Sequence, residues 1–172
     1  DGYDDIVIYE NAARLGGTWR ENRYPGLSGD IPSHVYSYPF APNSEWSHKY
    51  SPGPEIQAYL ERVADEFDIV RFMRFSTEVT KAAYLSSAWH LWSNGEDLGA
   101  VDVMLAATGI LHHPKLPDLE GLDTFGGQAF HSARWPENYP LADKRVALVG
   151  TGSTAIQIVN AVASEVQALH LF

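Results

Sequence analysis

Apolar and polar positions divide the chain into short regular elements separated by long polar connections. Asp5 to Glu10, DIVIYE, is a run of β-branched and aromatic residues closed by an acid, and it predicts a buried strand. NAARLGGTW follows, with Gly16 and Gly17 where the backbone must turn or approach something closely. From Arg20 to Pro54 no period is sustained, and Pro, Gly, Ser, Asn and Tyr dominate. A structureless stretch of that length inside a compact domain is usually functional. Ile56, Tyr59, Leu60, Val63 and Phe67 then recur on one face and predict a helix over Pro54 to Ile69. Pro54 suits its first turn, with Gly53 or Ser51 before it as a cap.

Thr77 to Leu85, Ala88 to Ser93 and Leu98 to Ala106 read as strands, and Asn94-Gly95 predicts a tight hairpin between the last two. A proline-punctuated connector runs from Leu111 to Pro140. After it come a strand over Arg145 to Val149, a helix over Ser153 to Ser164 with Ile156, Val159 and Val162 inward, and a strand over Val166 to Phe172. The strand–helix–strand order from Arg145 onward is an α/β arrangement. No internal repeat and no low-complexity segment interrupts it.

Composition narrows the functional classes. The 172 residues are 45% hydrophobic and 12% aromatic, enough to bury a core in one domain or two small ones. A net charge of -10 repels phosphate backbones and anionic membrane surfaces, so neither nucleic acid nor a membrane is expected as a partner. The absence of cysteine removes disulfide scaffolds, thiolate zinc sites and dithiol redox chemistry, and fits a cytoplasmic location. No apolar run approaches the ~20 residues of a membrane span, and no signal peptide opens the chain. The chain opens directly into a strand and closes on an apolar run, as a segment cut from a longer protein would.

Chemistry enters in the second half. RVALVGTGSTAIQIV sets Gly150, Gly152 and Ala155 at the G-x-G-x-x-[GA] spacing, after a predicted strand and at the start of a predicted helix. Gly150 permits the tight turn, Gly152 lets the backbone approach a pyrophosphate, and Ala155 lets helix and strand pack closely. The free N–H groups and the dipole of the helix start favour an anion there. A Gly-rich turn without a ligand has the same sequence. The residue that would choose NAD or NADP belongs to the end of the next strand, which this chain does not pass.

The first half carries what resembles half of another such site. Glu10 ends a buried strand, where an acid in a Rossmann-type domain bonds an adenosine ribose, although a solvated strand-end acid reads the same. The matching glycine motif would lie ~20 residues earlier, before Asp1.

FGGQAFHSARWP, from Phe125 to Pro136, then identifies a family. Phe125, Gly127, His131, Trp135 and Pro136 complete the pattern F-x-G-x-x-x-H-x-x-x-W-[PD], and the chain resembles the Baeyer–Villiger monooxygenases among the flavin-dependent monooxygenases. GGTW after Glu10, RYPG at Arg23 to Gly26, Ala107-Thr108-Gly109 and the position of the second dinucleotide turn agree. The resemblance spans essentially the whole chain. It implies part of a flavoprotein fold with two dinucleotide-binding, Rossmann-like domains and a small antiparallel β insertion. Residues 1–110 would be part of an FAD-binding domain, 111–143 the linker with the fingerprint, and 144–172 the start of an NADPH-binding domain. It implies FAD contacts at Glu10, Gly17, Thr18, Trp19, Tyr36, Val79 and Gly109. It implies NADPH contacts at Gly150, Thr151, Gly152, Ser153, Thr154, Ala155, Ile156 and Gln157. Asp30, in SGDIPSHVY, matches the family's aspartate beside flavin and nicotinamide and would be the catalytic residue present; a turn-forming Asp reads the same locally. The implied reaction inserts one oxygen of O₂ next to a ketone carbonyl, giving an ester or lactone.

Gly29 stands where many relatives have cysteine, which changes nothing chemical. The first glycine motif and the family's catalytic arginine fall outside these residues, so the chain alone is expected to be inactive. No chemical role for His131 follows from the sequence. An N- or S-oxygenating monooxygenase shares the two-domain plan, but its linker usually ends in another residue where Trp135-Pro136 stand. A non-catalytic nucleotide-binding module is also compatible with these residues. A zinc site at His112, His113 and His131 lacks cysteines and helical ligand spacing.

Overall fold

The computed structural model describes residues 4–172, which divide into two compact units. The first comprises the described residues up to Gly16 together with Leu60–Gly109, and the second comprises Gly17–Tyr59 and Ile110–Phe172.

In the first unit, β1 (Ile8–Tyr9) pairs in parallel with β2 (Met73–Arg74), Ile8 opposite Met73. The strand expected over Asp5 to Glu10 is thus shorter, because parallel pairing with two residues of β2 is all that defines it. The ladder does run on: Glu10 N–H donates to Arg74 O at 3.1 Å, and Thr77 N–H to Glu10 O at 2.9 Å. Lys81–Leu85 (β3), Ala88–Ser93 (β4) and Glu96–Val101 (β5) form an antiparallel meander. Asn94 and Gly95, with φ of 49° and 92°, make the expected turn between β4 and β5. Both residues have the positive φ that a type I′ hairpin requires. A second tight turn joins β3 to β4 at Ser86 and Ser87, again with positive φ at both positions, 50° and 70°. Leu91 is the buried residue at the centre of the meander. Two of the expected strands shift here: β3 starts at Lys81 rather than Thr77, and β5 ends at Val101 rather than Ala106.

The division between units falls within α2 (Gly53–Glu66). Ile56, Tyr59, Val63 and Ala64 are buried, while Phe67 lies past the helix end and is exposed. The helix ends earlier than its periodicity suggests, because Asp68 takes φ of 52° and a 3-10 turn follows over Val70–Phe72.

The second unit holds the short helix α1 (Thr18–Glu21) and a parallel strand–helix–strand unit. β6 (Arg145–Leu148) and β7 (Ala168–Leu171) pair in register Arg145 to Ala168 through Leu148 to Leu171, joined through α3 (Ser153–Val162). Gly150 N–H to Phe172 O at 2.8 Å and Phe172 N–H to Leu148 O at 2.9 Å extend the ladder to the dinucleotide turn. Tyr24, Leu141, Ile158 and Val162 form the core of this unit, with Trp135, Tyr139 and Leu169 packed against it. The inward face of α3 is therefore Ala155, Ile158 and Val162 rather than Ile156, Val159 and Val162. Ile156 is 59% exposed. Ser153, Thr154, Gln157 and Asn160 share the polar side of the helix, and Tyr24 and Leu141, far away in sequence, share a core with Ile158 and Val162 on the opposite side. Among the described residues no helix is long and apolar enough to cross a membrane.

Candidate cofactor site

The dinucleotide turn has the backbone its sequence requires. Gly150 takes φ of 120°, where a side chain would be strained. A Cβ at Gly150 or at Gly152 would meet no atom within 4 Å, so the face of the turn is bare backbone open to a ligand. Gly152 is the N-cap of α3, and no side chain caps the helix. The first-turn N–H groups, which have no intrahelical partner in any α-helix, are left for an anion. Ala155 is buried, as the close packing of helix on strand demands. Thr151, Gly152, Ser153 and Ile156 are exposed, and Thr154 and Gln157 are half-buried.

Beside this turn lies the segment Tyr24 to Asp30. Gly26 takes φ of 79°, and a Cβ there would lie 2.5 Å from Gln157 O and 3.1 Å from Ala161 Cβ. Glycine is required for both its conformation and its closeness to α3. Tyr24 is buried; its hydroxyl donates to Gln157 Oε1 at 2.9 Å and lies 3.5 Å from Thr154 Oγ1. Burial pushes the Tyr24 hydroxyl up from its ordinary pKa, the bond with Thr154 opposes this, and the charge of Asp30 adds to the rise. The exposed Asp30 carboxylate accepts from Ser153 Oγ at 3.4 Å, so the acid faces the first residue of α3.

A second group surrounds α1. Gly17 takes φ of 49°, and a Cβ there would meet nothing within 4 Å. Trp19 Nε1 donates to Tyr36 Oη at 3.1 Å, and the two rings meet edge to face at 5.6 Å. Glu21 is held between Arg20, 2.9 Å away, and His112 Nδ1, 3.0 Å away. Burial pushes the Glu21 carboxyl up, but the bonds from His112 and Arg20 outweigh it and hold the group below its ordinary pKa.

The linker fingerprint has a local structural logic. His131 Nδ1 accepts from Ala133 N–H at 3.1 Å and so caps the 3-10 turn Ser132–Arg134. A Cβ at Gly127 would lie 2.6 Å from the Phe125 ring, so glycine leaves room for that ring. Phe130 packs edge to face on Trp135 at 5.1 Å, and Trp135 lies against the core of the unit.

The structure therefore brings Asp30 together with Ser153, and Thr154 and Gln157 together with Tyr24. Gly17, Thr18, Trp19 and Tyr36 form a separate group in the same unit. Glu10, Val79 and Gly109 belong to the first unit. Glu10 Oε1 accepts from Ala12 N–H at 2.9 Å, Val79 is exposed before β3, and Gly109 takes φ of 74°. Sequence reasoning assigned no role to Ser28, Glu21 or His112. Tyr24 and Gly26 lay inside RYPG, but their partners on α3 are more than a hundred residues away, beyond any local signal.

A bare glycine turn at a helix start, in a parallel strand–helix–strand unit, is the geometry of a dinucleotide-binding turn. The chain belongs to the flavin-binding monooxygenase-like family, whose model matches residues 7–171. It is 48% identical over its whole length to a Baeyer-Villiger monooxygenase of Streptomyces coelicolor, of which it covers 33%. Among solved structures it is similar to cyclohexanone monooxygenase from Rhodococcus sp. Phi1 bound to NADP+, at 42% identity and a TM-score of 0.84, covering 97% of this chain and 33% of that one. It is also similar to OTEMO in complex with FAD and NADP, at 34% identity and a TM-score of 0.86, covering 97% of this chain and 34% of that one. The chain thus has part of the fold with two dinucleotide-binding, Rossmann-like domains, with a small antiparallel sheet. It spans about a third of the length of these relatives.

Proposed function

We propose that the protein carrying this chain is a flavin-dependent monooxygenase that inserts one oxygen atom next to a ketone carbonyl, using FAD and NADPH. The net reaction is ketone, O₂, NADPH and a proton to ester or lactone, NADP⁺ and water. The observation that carries the reading is the Asp30 carboxylate held 3.4 Å from Ser153 Oγ at the start of α3. The relatives named above, one of them bound to both FAD and NADP, support the same cofactors here.

The residues present fit the two groups. The open glycine turn, with an uncapped helix behind it, suits a pyrophosphate. In this reading Gly150 to Gln157 form the NADPH segment. FAD contacts are assigned in the second unit to Gly17, Thr18, Trp19 and Tyr36, and in the first unit to Glu10, on the adenosine ribose, Val79 and Gly109. Residues 1–110 are part of the FAD domain, 111–143 the linker and 144–172 the start of the NADPH domain. Bound reduced flavin supplies the activation of O₂, which no amino-acid side chain provides. The chain itself binds, orients and sets the charge. First-turn amides of α3 neutralise phosphate. In this reading Asp30 is the catalytic residue of this chain and acts by charge, helping to hold the family's catalytic arginine in place and tuning the site. Its bond from Ser153 fixes the carboxylate's direction.

The test is to purify the full-length protein, record its flavin spectrum and follow NADPH oxidation with a panel of ketones, amines and sulfides. Bound flavin and ketone-dependent oxidation giving an ester or lactone are expected. Turnover of amines or sulfides with no ketone oxidation would replace this reading by an N- or S-oxygenating one.

A further inference from the structure

Gln157 lies one turn into α3, past the glycines, and its side-chain amide points back at the segment that leads to Asp30. Nε2 donates to Ser28 O at 2.9 Å, Oε1 accepts from Tyr24 Oη at 2.9 Å, and Ser28 N–H approaches Oε1 at 3.5 Å. The orientation of the amide follows from its partners. A carbonyl can only accept and a backbone N–H can only donate, so Ser28 fixes which end is oxygen. The residue must both donate and accept: glutamate would lose the donor, and methionine would lose both. Gly26 lets the same segment approach until its backbone nearly touches Gln157 O. Two residues beyond Ser28, Asp30 meets Ser153.

We propose that Gln157, together with Tyr24, is a positioning pair that fastens the Tyr24-to-Asp30 segment to α3 and so sets the carboxylate of Asp30 against the dinucleotide turn. The inference rests on the reading under Proposed function. It deepens that reading by giving the Gln157 side chain a role through Asp30 rather than on phosphate. The buried hydroxyl of Tyr24 and the amide form one bonded unit, so removing either partner loosens the same segment.

The test uses the full-length protein with Tyr24→Phe, Gln157→Met, Gln157→Glu and the Tyr24→Phe/Gln157→Met pair. Product formed per NADPH consumed should fall about fivefold in Tyr24→Phe, which loses the hydroxyl's bond to the amide, and further in Gln157→Met, which loses the bonds to both Tyr24 and Ser28. The pair should be no worse than its poorer member, as residues acting as one unit require. The KM for NADPH should stay within about twofold of wild type, since no phosphate contact is lost. Gln157→Glu keeps an acceptor for Tyr24 and loses the donor to Ser28, so it should fall between wild type and Gln157→Met. Multiplying effects in the pair, or a KM for NADPH raised about tenfold by Gln157→Met but not by Tyr24→Phe, would make Gln157 a direct ligand and overturn the proposal. A readout independent of turnover is amide hydrogen exchange of residues 24–30, which should accelerate in Gln157→Met. Unchanged exchange overturns the clamp whatever the activity. A wild-type protein that forms no oxygenated product but shows the accelerated exchange in the variant sinks the function and keeps the clamp.

Discussion

Ser153 Oγ donates a hydrogen bond to Asp30 Oδ2 at 3.4 Å, across 123 residues of sequence. This contact sets an acid from the long loop region against the first residue of the dinucleotide helix. It is long for a hydroxyl–carboxylate bond and both groups are exposed, so it orients more than it stabilises. The two partners should therefore respond differently to substitution. Asp30→Ala removes the charge and should lower kcat about a hundredfold. Ser153→Ala leaves the charge and should stay within about fivefold of wild type. Steady-state kinetics on the full-length protein checks both.

Gly26 and Gly95 make a controlled pair for backbone packing. Each has positive φ, 79° and 92°. Alanine at Gly95 meets nothing, whereas at Gly26 it would overlap Gln157 O. Gly95→Ala should cost about 1–2 kcal/mol, the conformational term alone. Gly26→Ala should cost about 3 kcal/mol or more, because overpacking against a helix backbone adds to it. Urea unfolding followed with a separate probe in each unit measures the two costs.

The β3–β4 turn carries Ser86 and Ser87 in the conformation that Asn-Gly adopts most readily. Replacing them as Ser86→Asn and Ser87→Gly should raise stability by about 1 kcal/mol, since serine at positive φ is strained. An unchanged or lowered unfolding midpoint would contradict this.

Glu21 makes stability pH-dependent. Arg20 and His112 hold its carboxyl below the ordinary value in the folded state. Its contribution is then complete above the unfolded-state pKa and disappears as pH falls through the lower folded value. Glu21→Gln should be less stable than wild type at neutral pH, and the gap should narrow towards about pH 4 and below. Unfolding free energies of the two proteins across that range test the sign.

Legibility in the sequence followed the range of the interactions. Asn94-Gly95 was readable because the turn needs those two residues and little else. The break at Ser86 and Ser87 was placed between the two strands, but its positive-φ conformation was not legible, because serine does not favour it and the strands on either side impose the geometry. Gly150, Gly152 and Ala155 were readable from spacing and context. The buried face of α3 was placed slightly off: Ile156 and Val159 flank it, while Ser153, Thr154, Gln157 and Asn160 mark the side opposite Ala155, Ile158 and Val162. β2 at Met73–Arg74 carries no pattern at two residues and exists through its pairing with β1. Asp30 was legible only by resemblance: nothing local marks it, and its partner Ser153 belongs to another part of the chain.

The most direct test of the central claim is the fate of one oxygen atom. The full-length protein, with FAD, NADPH and isotopically labelled O₂, is given a cyclic ketone, and the product is analysed by mass spectrometry. The account predicts a lactone carrying one labelled oxygen in its ring, formed in step with NADPH oxidation. NADPH oxidation that yields only hydrogen peroxide, or a ketone returned unlabelled and unchanged, would contradict it.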